Sequence, residues 1–226
     1  MARYFLPEVV SPTQRRLYGK PVGSGLRAWD YQVSSILYKD LGQRVPRQFL
    51  LMLEYFGSGL LIPLAFLLWA VPLGIVGAYF KAFCLNLLLG FFTDLAFVGA
   101  LKGLVRRPRP NYNDAGDFIL VVNVDRYSFP SGHASRAVFI AVLSSVWRLG
   151  PWWVRWLVWW AALATAMSRV LMGRHYFTDV VAGVVVGILN GLVVTKGTFG
   201  VGGSWISVGG SKRLFGRLVS SAVKLR

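Results

Sequence analysis

Long apolar stretches, separated by short polar or glycine- and proline-containing segments, occupy most of the chain between residues 60 and 194. A bilayer crossing needs about 20 mostly apolar residues, so this pattern predicts membrane-spanning helices, about five in number. The apolar segment 49–56 is too short to cross by itself. It is either the first half of a kinked span or a re-entrant helix, which leaves six spans as the alternative. The five predicted spans are 60–79, 82–105, 133–149, 152–170 and 177–194.

Both ends of the chain are more polar. Between residues 26 and 41 apolar residues recur at helical spacing, with Asp30 and Ser34 among the polar residues between them. This pattern predicts an interfacial amphipathic helix, with a short helix packed on the protein's own surface as the alternative. Residues 197–226 are Gly-rich and then basic, which is typical of an amphipathic helix on anionic lipid or of a solvated tail. We therefore predict an N-terminal tail with its interfacial helix (1–47), a transmembrane domain (48–196) and a C-terminal tail (197–226).

Composition supports a membrane location and adds a charge preference. The chain is 55% hydrophobic and only 15% charged, whereas soluble domains carry about a quarter charged residues. Its formal net charge is nevertheless +16. The high hydrophobicity excludes the usual basic nucleic-acid binder. A basic fringe around apolar spans favours anionic lipid headgroups or phosphorylated substrates instead. The single cysteine, Cys84, offers neither an internal disulfide nor a Cys/His metal site.

A group of tryptophans between residues 147 and 160 surrounds the turn at Gly150 and Pro151. Tryptophan prefers the headgroup depth, so this turn is expected at one membrane face. The other ends of the flanking spans then lie at the opposite face. Span counting brings the following residues to that opposite face: Lys102, Arg109, His133, Arg169, His175 and Asp179.

These residues suit the chemistry of phosphate. Cations in excess of nearby carboxylates call for an anion, and Arg binds phosphate oxygens with two nitrogens at once. Ser131 and Gly132 precede a helix whose N-terminal N–H groups also favour an anion. His133, at that helix start, could give a proton to a leaving oxygen. His175 and Asp179 are four residues apart, so the carboxylate could hold one ring nitrogen protonated and aim the other at phosphorus.

Several polar residues near the spans have structural alternatives. Arg106 and Arg107 end a span, where cations usually serve as topology determinants or snorkelling anchors, so this role and a role in the site both stay open for them. Glu54 and Asp94 are expected to be structural partners of neighbouring polar groups. Arg136, one turn into its span, would either line the site or form a structural ion pair.

The ordered clusters resemble the three-part motif of the type 2 phosphatidic acid phosphatase (PAP2) and vanadium haloperoxidase superfamily. The first part is Lys102, six residues and Arg109-Pro110, and the second is Pro-Ser-Gly-His at 130–133. The third is Ser-Arg at 168–169, with His and Asp following at 175 and 179. Every defining position matches, and the resemblance covers about residues 50–195.

The local sequence around the three motifs is similar to that of the polyisoprenoid diphosphate phosphatase branch of this superfamily. The similar segments are 102–107, 127–133 and 168–175. That branch acts on presqualene, farnesyl and related diphosphates in endoplasmic reticulum and nuclear membranes. This closer resemblance implies the same substrates and the same location, while the tails lie outside it.

The resemblance to the superfamily implies an all-α, polytopic membrane helix bundle and a lipid phosphatase that needs neither a metal nor another cofactor. His175 would attack phosphorus and become phosphohistidine, and Asp179 would orient it. His133 would protonate the leaving oxygen and then activate water. The phosphoryl oxygens would be bound by Lys102, Arg109, Ser131, Gly132 and Arg169.

Other functions compete with a polyisoprenoid diphosphate phosphatase. A broad-specificity phosphatidic acid or lipid phosphate phosphatase would carry the same motif. A haloperoxidase is disfavoured by the apolar spans, because those enzymes are soluble. A catalytically silent scaffold or transporter would be favoured by the loss of a motif residue, and none is missing. Expected partners are the lipid (di)phosphate and anionic membrane lipids at the basic tails, with no nucleic acid.

Overall fold

The computed structural model describes residues 25–58, 78–110, 112 and 127–196. All regular structure in these residues is helical, which confirms the predicted all-α class. Nearly all of the predicted span 60–79, both polar tails and the loop at 113–126 lie outside the described residues. The helices are α1 (Leu26–Ile36, continued by a π-helical turn, Leu37–Gly42), α2 (Arg47–Ser58), α3 (Ala78–Val105), α4 (Gly132–Val146), α5 (Trp152–Leu171) and α6 (Phe177–Lys196).

Four predicted spans coincide with α3, α4, α5 and α6. By length and composition, Ala82–Val105 and Phe177–Lys196 could each cross a membrane. Helix α4 is apolar but only 15 residues long, and α5 combines Arg155 with several tryptophans, which lowers its hydropathy. The choice between five and six spans stays a prediction, because it depends on the segment between α2 and α3.

Small residues set the distance between α4 and α6. Gly183, Gly187 and Gly191 recur every fourth residue on the side of α6 that faces α4. A Cβ atom at Gly183 would lie closer than 3.0 Å to the Ser131 carbonyl oxygen, and one at Gly187 equally close to that of Ser135. Such small-residue rows let helix backbones approach closely within a bilayer. The row therefore holds the start of α4 against the start of α6.

One tryptophan differs from the prediction. Trp147, expected with the others at headgroup depth, is buried, with its ring 6.1 Å from that of Phe83. It lies on the inward side of α4 and fills the core between α3 and α4. Trp152, Trp156 and Trp160 on α5 are instead exposed by 60–67%, as headgroup contact requires.

Helix α1 forms where the amphipathic pattern predicts it, and its polar side faces the protein. Asp30 and Ser34 are its buried residues. Leu26, Trp29 and Ile36 point outward, with exposures of 72, 47 and 56%. The two alternatives from the sequence are therefore compatible: α1 packs on the bundle through polar groups and leaves an apolar face for the bilayer surface.

Candidate active site

His175 lies in the short connection between α5 and α6, just after Gly173, whose φ of 68° allows the sharp turn. Its side chain is buried, and Nδ1 is 2.6 Å from the Ser128 carbonyl oxygen. A carbonyl oxygen can only accept a hydrogen bond, so Nδ1 carries the hydrogen and Nε2 carries the lone pair. The backbone of Ser128, two residues before the second motif, thus fixes the tautomer that a nucleophilic histidine needs.

Asp179 lies one helical turn from His175, as the spacing predicts, with Oδ2 3.9 Å from Nδ1. Oδ2 also accepts a hydrogen bond of 2.9 Å from the Tyr176 backbone N–H. This contact is the return half of a capping box, in which the third helical residue reaches back to the helix start. The His175 ring therefore donates its direct hydrogen bond to the Ser128 carbonyl, and Asp179 contributes charge beside it.

Three buried cations surround His175. Lys102 Nζ donates to the Tyr127 carbonyl at 3.0 Å, and Arg109 Nη1 donates to the Arg174 carbonyl at 3.2 Å. Burial, followed by the charges of Arg109, Arg169 and Lys102, holds the pKa of His175 well below its usual value. The ring is therefore neutral at physiological pH, as an attacking nitrogen must be.

Two buried donors that belong to the motifs, Ser131 Oγ and Arg169 Nε, make no hydrogen bond to the described residues. Ser131 precedes α4 and makes no side-chain cap there, so the first-turn N–H groups, including that of Gly132, have no cap from its hydroxyl. Buried polar groups are nearly always satisfied, so such donors indicate a ligand. A phosphoryl group fits, because it accepts from a guanidinium, a hydroxyl and helix-start amides together.

His133 is the second residue of α4 and is half-buried. Its electrostatic neighbours include Arg169 and His175. The Ser131 backbone N–H donates to the Asp179 carbonyl at 3.0 Å, which joins the second motif to the third. The structure thus brings both histidines and the predicted phosphate-binding cations to one end of the bundle.

The two acids expected to be structural partners have that role. Glu54 on α2 receives Arg174 Nη1 at 2.6 Å and lies 3.2 Å from Arg169 Nη1. Asp94 on α3 accepts a short hydrogen bond from the Ser135 hydroxyl. Glu54 therefore pairs with Arg169, one of the predicted phosphate-binding residues, and its position in a short apolar segment did not indicate this partner.

The sequence left Arg106 and Arg136 open between a structural role and a role in the site. Arg106 Nε donates to the Gly103 carbonyl at 2.8 Å and so caps the end of α3. Arg136 lies 5.9 Å from the Phe91 ring centroid and acts electrostatically on both Asp94 and His133.

Arg107, which the sequence leaves as a possible topology determinant, enters the site. Its Nη1 donates to Asp179 Oδ1 at 2.7 Å and its Nη2 to Asp30 Oδ2 at 2.6 Å. Its guanidinium carbon is 4.0 Å from the Tyr176 ring centroid. Sequence reasoning missed this pairing, because Asp30 is an ordinary polar residue in the pattern of α1.

Comparisons with known proteins agree with this geometry. The family model described as the PAP2 superfamily matches residues 83–202. The chain is 34% identical over 215 residues to a probable lipid phosphate phosphatase beta of Arabidopsis thaliana, an overlap of 83% of this chain and 95% of the relative. It is 35% identical over 108 residues to a decaprenylphosphoryl-5-phosphoribose phosphatase of Mycobacterium tuberculosis, an overlap of 46% and 55%.

The fold has solved counterparts. A transmembrane PAP2 type phosphatidylglycerolphosphate phosphatase from Bacillus subtilis superposes with a TM-score of 0.55 at 21% identity, covering 80% of this chain and 90% of that one. The likeness at this identity is one of fold. With the three motifs assembled at one site and the family model spanning more than half of the sequence, the chain belongs to the PAP2 superfamily and is a membrane phosphatase of that type.

Proposed function

We propose that this phosphatase hydrolyses polyisoprenoid diphosphates and monophosphates through a phosphohistidine intermediate. The observation that carries the proposal is the state of His175, a buried neutral ring with Nδ1 bound to Ser128 and Nε2 left as the lone-pair nitrogen. Beside it lie the cations Lys102, Arg109 and Arg169. A nitrogen nucleophile among fixed cations suits attack on an anionic phosphorus centre.

In the first step Nε2 of His175 attacks phosphorus, and a P–N bond forms as the bond to the leaving oxygen breaks. In the complex with the anionic substrate His133 carries a proton and gives it to that oxygen, so the lipid leaves as an alcohol or a monophosphate. Water then attacks the phosphohistidine and gives a proton back to His133. The P–N bond breaks, inorganic phosphate leaves, and both histidines return to their starting states.

The role of the cationic groups is to stabilise the charge of the transition state. Arg169 is held by Glu54, and its Nε has no partner among the described residues. Ser131 Oγ and the Gly132 amide would add neutral donors to the same phosphoryl oxygens. Groups fixed in this way need no reorganisation during the reaction, and removal of one such donor typically costs about 10²–10³ in kcat.

The choice of an isoprenoid chain rests on two supports. The local sequence around the motifs resembles that of the polyisoprenoid diphosphate phosphatase branch, and the relative from Mycobacterium tuberculosis is named for a decaprenyl lipid. The Arabidopsis thaliana relative is named for lipid phosphates in general, which favours a broad-specificity lipid phosphate phosphatase as the second candidate. A location in the endoplasmic reticulum or nuclear envelope belongs to the first candidate and is tested by microscopy of the tagged protein.

Phosphate release by the purified protein in lipid nanodiscs tests the proposal. We expect release from farnesyl diphosphate with a higher kcat/KM than from phosphatidic acid, inhibition by vanadate, and loss of activity in His175→Ala. In His133→Ala, farnesyl diphosphate carrying a ³²P label on its terminal phosphate should leave acid-labile label on the protein, because water activation is impaired. Higher kcat/KM for phosphatidic acid would select the second candidate. Absence of release from every lipid phosphate would refute both.

A further inference from the structure

The first turn of α6 is capped by residues of α1. The Phe177 backbone N–H donates to Ser34 Oγ at 2.8 Å, and the Thr178 N–H donates to Asp30 Oδ1 at 2.9 Å. The N–H groups of a first helical turn have no partners within their own helix. Ser34 and Asp30 are one turn apart on α1 and both are buried, so they satisfy two of these groups side by side.

The second oxygen of Asp30 connects this cap to the catalytic carboxylate. Asp30 Oδ2 accepts from the Thr178 hydroxyl at 2.5 Å and from Arg107 Nη2 at 2.6 Å. Arg107 Nη1 donates in turn to Asp179 Oδ1 at 2.7 Å. One guanidinium therefore bridges two carboxylates, one on α1 and one beside His175.

This sharing determines how Asp179 can face His175. A guanidinium with a single carboxylate partner tends to bind both of its oxygens. Because Asp30 occupies Nη2, Arg107 engages only Oδ1 of Asp179, which leaves Oδ2 for the Tyr176 N–H and for the side of His175. The Tyr176 ring, whose centroid is 4.0 Å from the guanidinium carbon, packs against the guanidinium of Arg107 and supports this orientation.

We propose that Asp30 is a positioning residue of the phosphatase reaction, acting through Arg107 on Asp179 and His175. The inference rests on the proposed function, since it needs His175 to be the nucleophile. Asp30 lies outside the segment 83–202 that matches the PAP2 family model. Helix α1 thus completes the active site from outside the family core.

The variant Asp30→Asn tests the inference, with Asp40→Asn as its matched control. Asp40 is exposed, lies in the π-helical turn that continues α1, and loses the same charge. We expect Asp30→Asn to lower kcat on the order of 10- to 100-fold, the usual cost of losing a group that orients a catalytic residue. KM should stay within about 3-fold, and Asp40→Asn should behave as the parent protein.

Ser34→Ala separates positioning from simple docking of α1. It removes the other cap of α6 and leaves the link from Asp30 to Arg107 intact. We expect a clearly smaller loss of kcat than in Asp30→Asn. In addition, losses from Asp30→Asn and Arg107→Gln should be less than multiplicative in the double variant, because both act along one connection.

A spectroscopic measurement adds a readout that a merely structural role would not change. The chain has two histidines, so ¹⁵N-histidine labelling gives two rings, which His133→Gln distinguishes. Asp30→Asn should shift the ring nitrogens of His175 in the folded protein, and Asp40→Asn should not. If Asp30→Asn does not fold, Asp30→Glu, which keeps the charge but moves it by one methylene, should show the same shift with reduced kcat.

Three results would overturn the inference: kcat of Asp30→Asn equal to that of Asp40→Asn, losses from Ser34→Ala as large as those from Asp30→Asn, or unshifted His175 signals in the folded Asp30 variants. Failure of the proposed function is distinguishable from these results. In that case His175→Ala would retain phosphatase activity, whatever the Asp30 variants do.

Discussion

Replacement of Gly183 by alanine tests whether the contact between α4 and α6 sets the geometry of the site. The added Cβ would lie closer than 3.0 Å to the Ser131 carbonyl oxygen and 3.1 Å from the Cβ of Ala134. Ordinary contact begins at 3.4 Å, so the two helices must separate by at least 0.4 Å. The obstacle is backbone, which cannot rotate away as a side chain would.

The separation acts where the second and third motifs meet. Ser131 N–H donates to the Asp179 carbonyl at 3.0 Å, and this hydrogen bond lengthens as the helices part. Catalytic groups must be held within about 0.5 Å of their productive positions, and a 1 Å misplacement costs about 10²-fold in rate. We therefore expect Gly183→Ala to lower kcat on the order of 10- to 100-fold. Overpacking should also cost about 1–3 kcal/mol of stability.

The control is Gly99→Ala on α3, where an added Cβ meets nothing within 4 Å. It introduces the same helix-favouring change, worth up to about 1 kcal/mol, without a clash. Both variants would be measured for phosphate release in nanodiscs and for the thermal unfolding midpoint. We expect Gly99→Ala to retain parental activity with an equal or higher midpoint. Parental activity in Gly183→Ala, or equal losses in the two variants, would refute the reasoning.

Three further predictions concern the site itself. His175 should remain neutral at pH 6.5 in a histidine NMR titration, because burial and the adjacent cations lower its pKa. The free energy of unfolding should fall as the pH drops below 6.5, since the unfolded chain then binds more protons than the folded one. A titration midpoint at or above pH 6.5 would contradict this assignment. Glu54→Gln leaves Arg169 and Arg174 without their shared carboxylate and should cost about 3–5 kcal/mol, seen as a lower unfolding midpoint; an unchanged midpoint would show that solvent already neutralises the pair. Ser131→Ala should lower kcat/KM while leaving the midpoint in place, because its hydroxyl has no partner among the described residues; a lower midpoint with intact activity would assign the hydroxyl to the fold.

Apolar runs were sufficient to predict most of the described helices, because burial in lipid demands long uninterrupted apolar segments. The meeting of both histidines with the motif cations at one end of the bundle was also predictable, because counting the spans places them at the same face. The hydrogen bond from His175 to the Ser128 carbonyl was not, because every residue carries a backbone carbonyl and the sequence does not mark which one faces a ring. The burial of Trp147 was equally hidden, since interface and core tryptophans share the same apolar neighbourhood.

The pairing of Arg107 with Asp30 was missed for a different reason. Patterns along the chain report which side of a helix is apolar, and the apolar side is normally the packed one. Helix α1 reverses this rule, because its apolar side is exposed and its polar side is packed against the protein. The row at Gly183, Gly187 and Gly191, in contrast, is visible in the sequence as three glycines at four-residue spacing, and reading it would have placed α6 in close contact with a neighbour.

The cap that α1 provides for α6 has a consequence for the order of biosynthesis. Asp30 precedes Thr178 by 148 residues, so the ribosome releases the aspartate long before its partners exist. A carboxylate is not buried without hydrogen bonds or a counter-charge. Arg107 can supply the counter-charge before α6 is made, but the two groups of Thr178 that also bind Asp30 arrive only with α6. Helix α1 can therefore complete its docking only after the start of α6 has been made. A chain truncated just before α6 would therefore keep His175 but lack Asp179 and the helix start on which α1 docks.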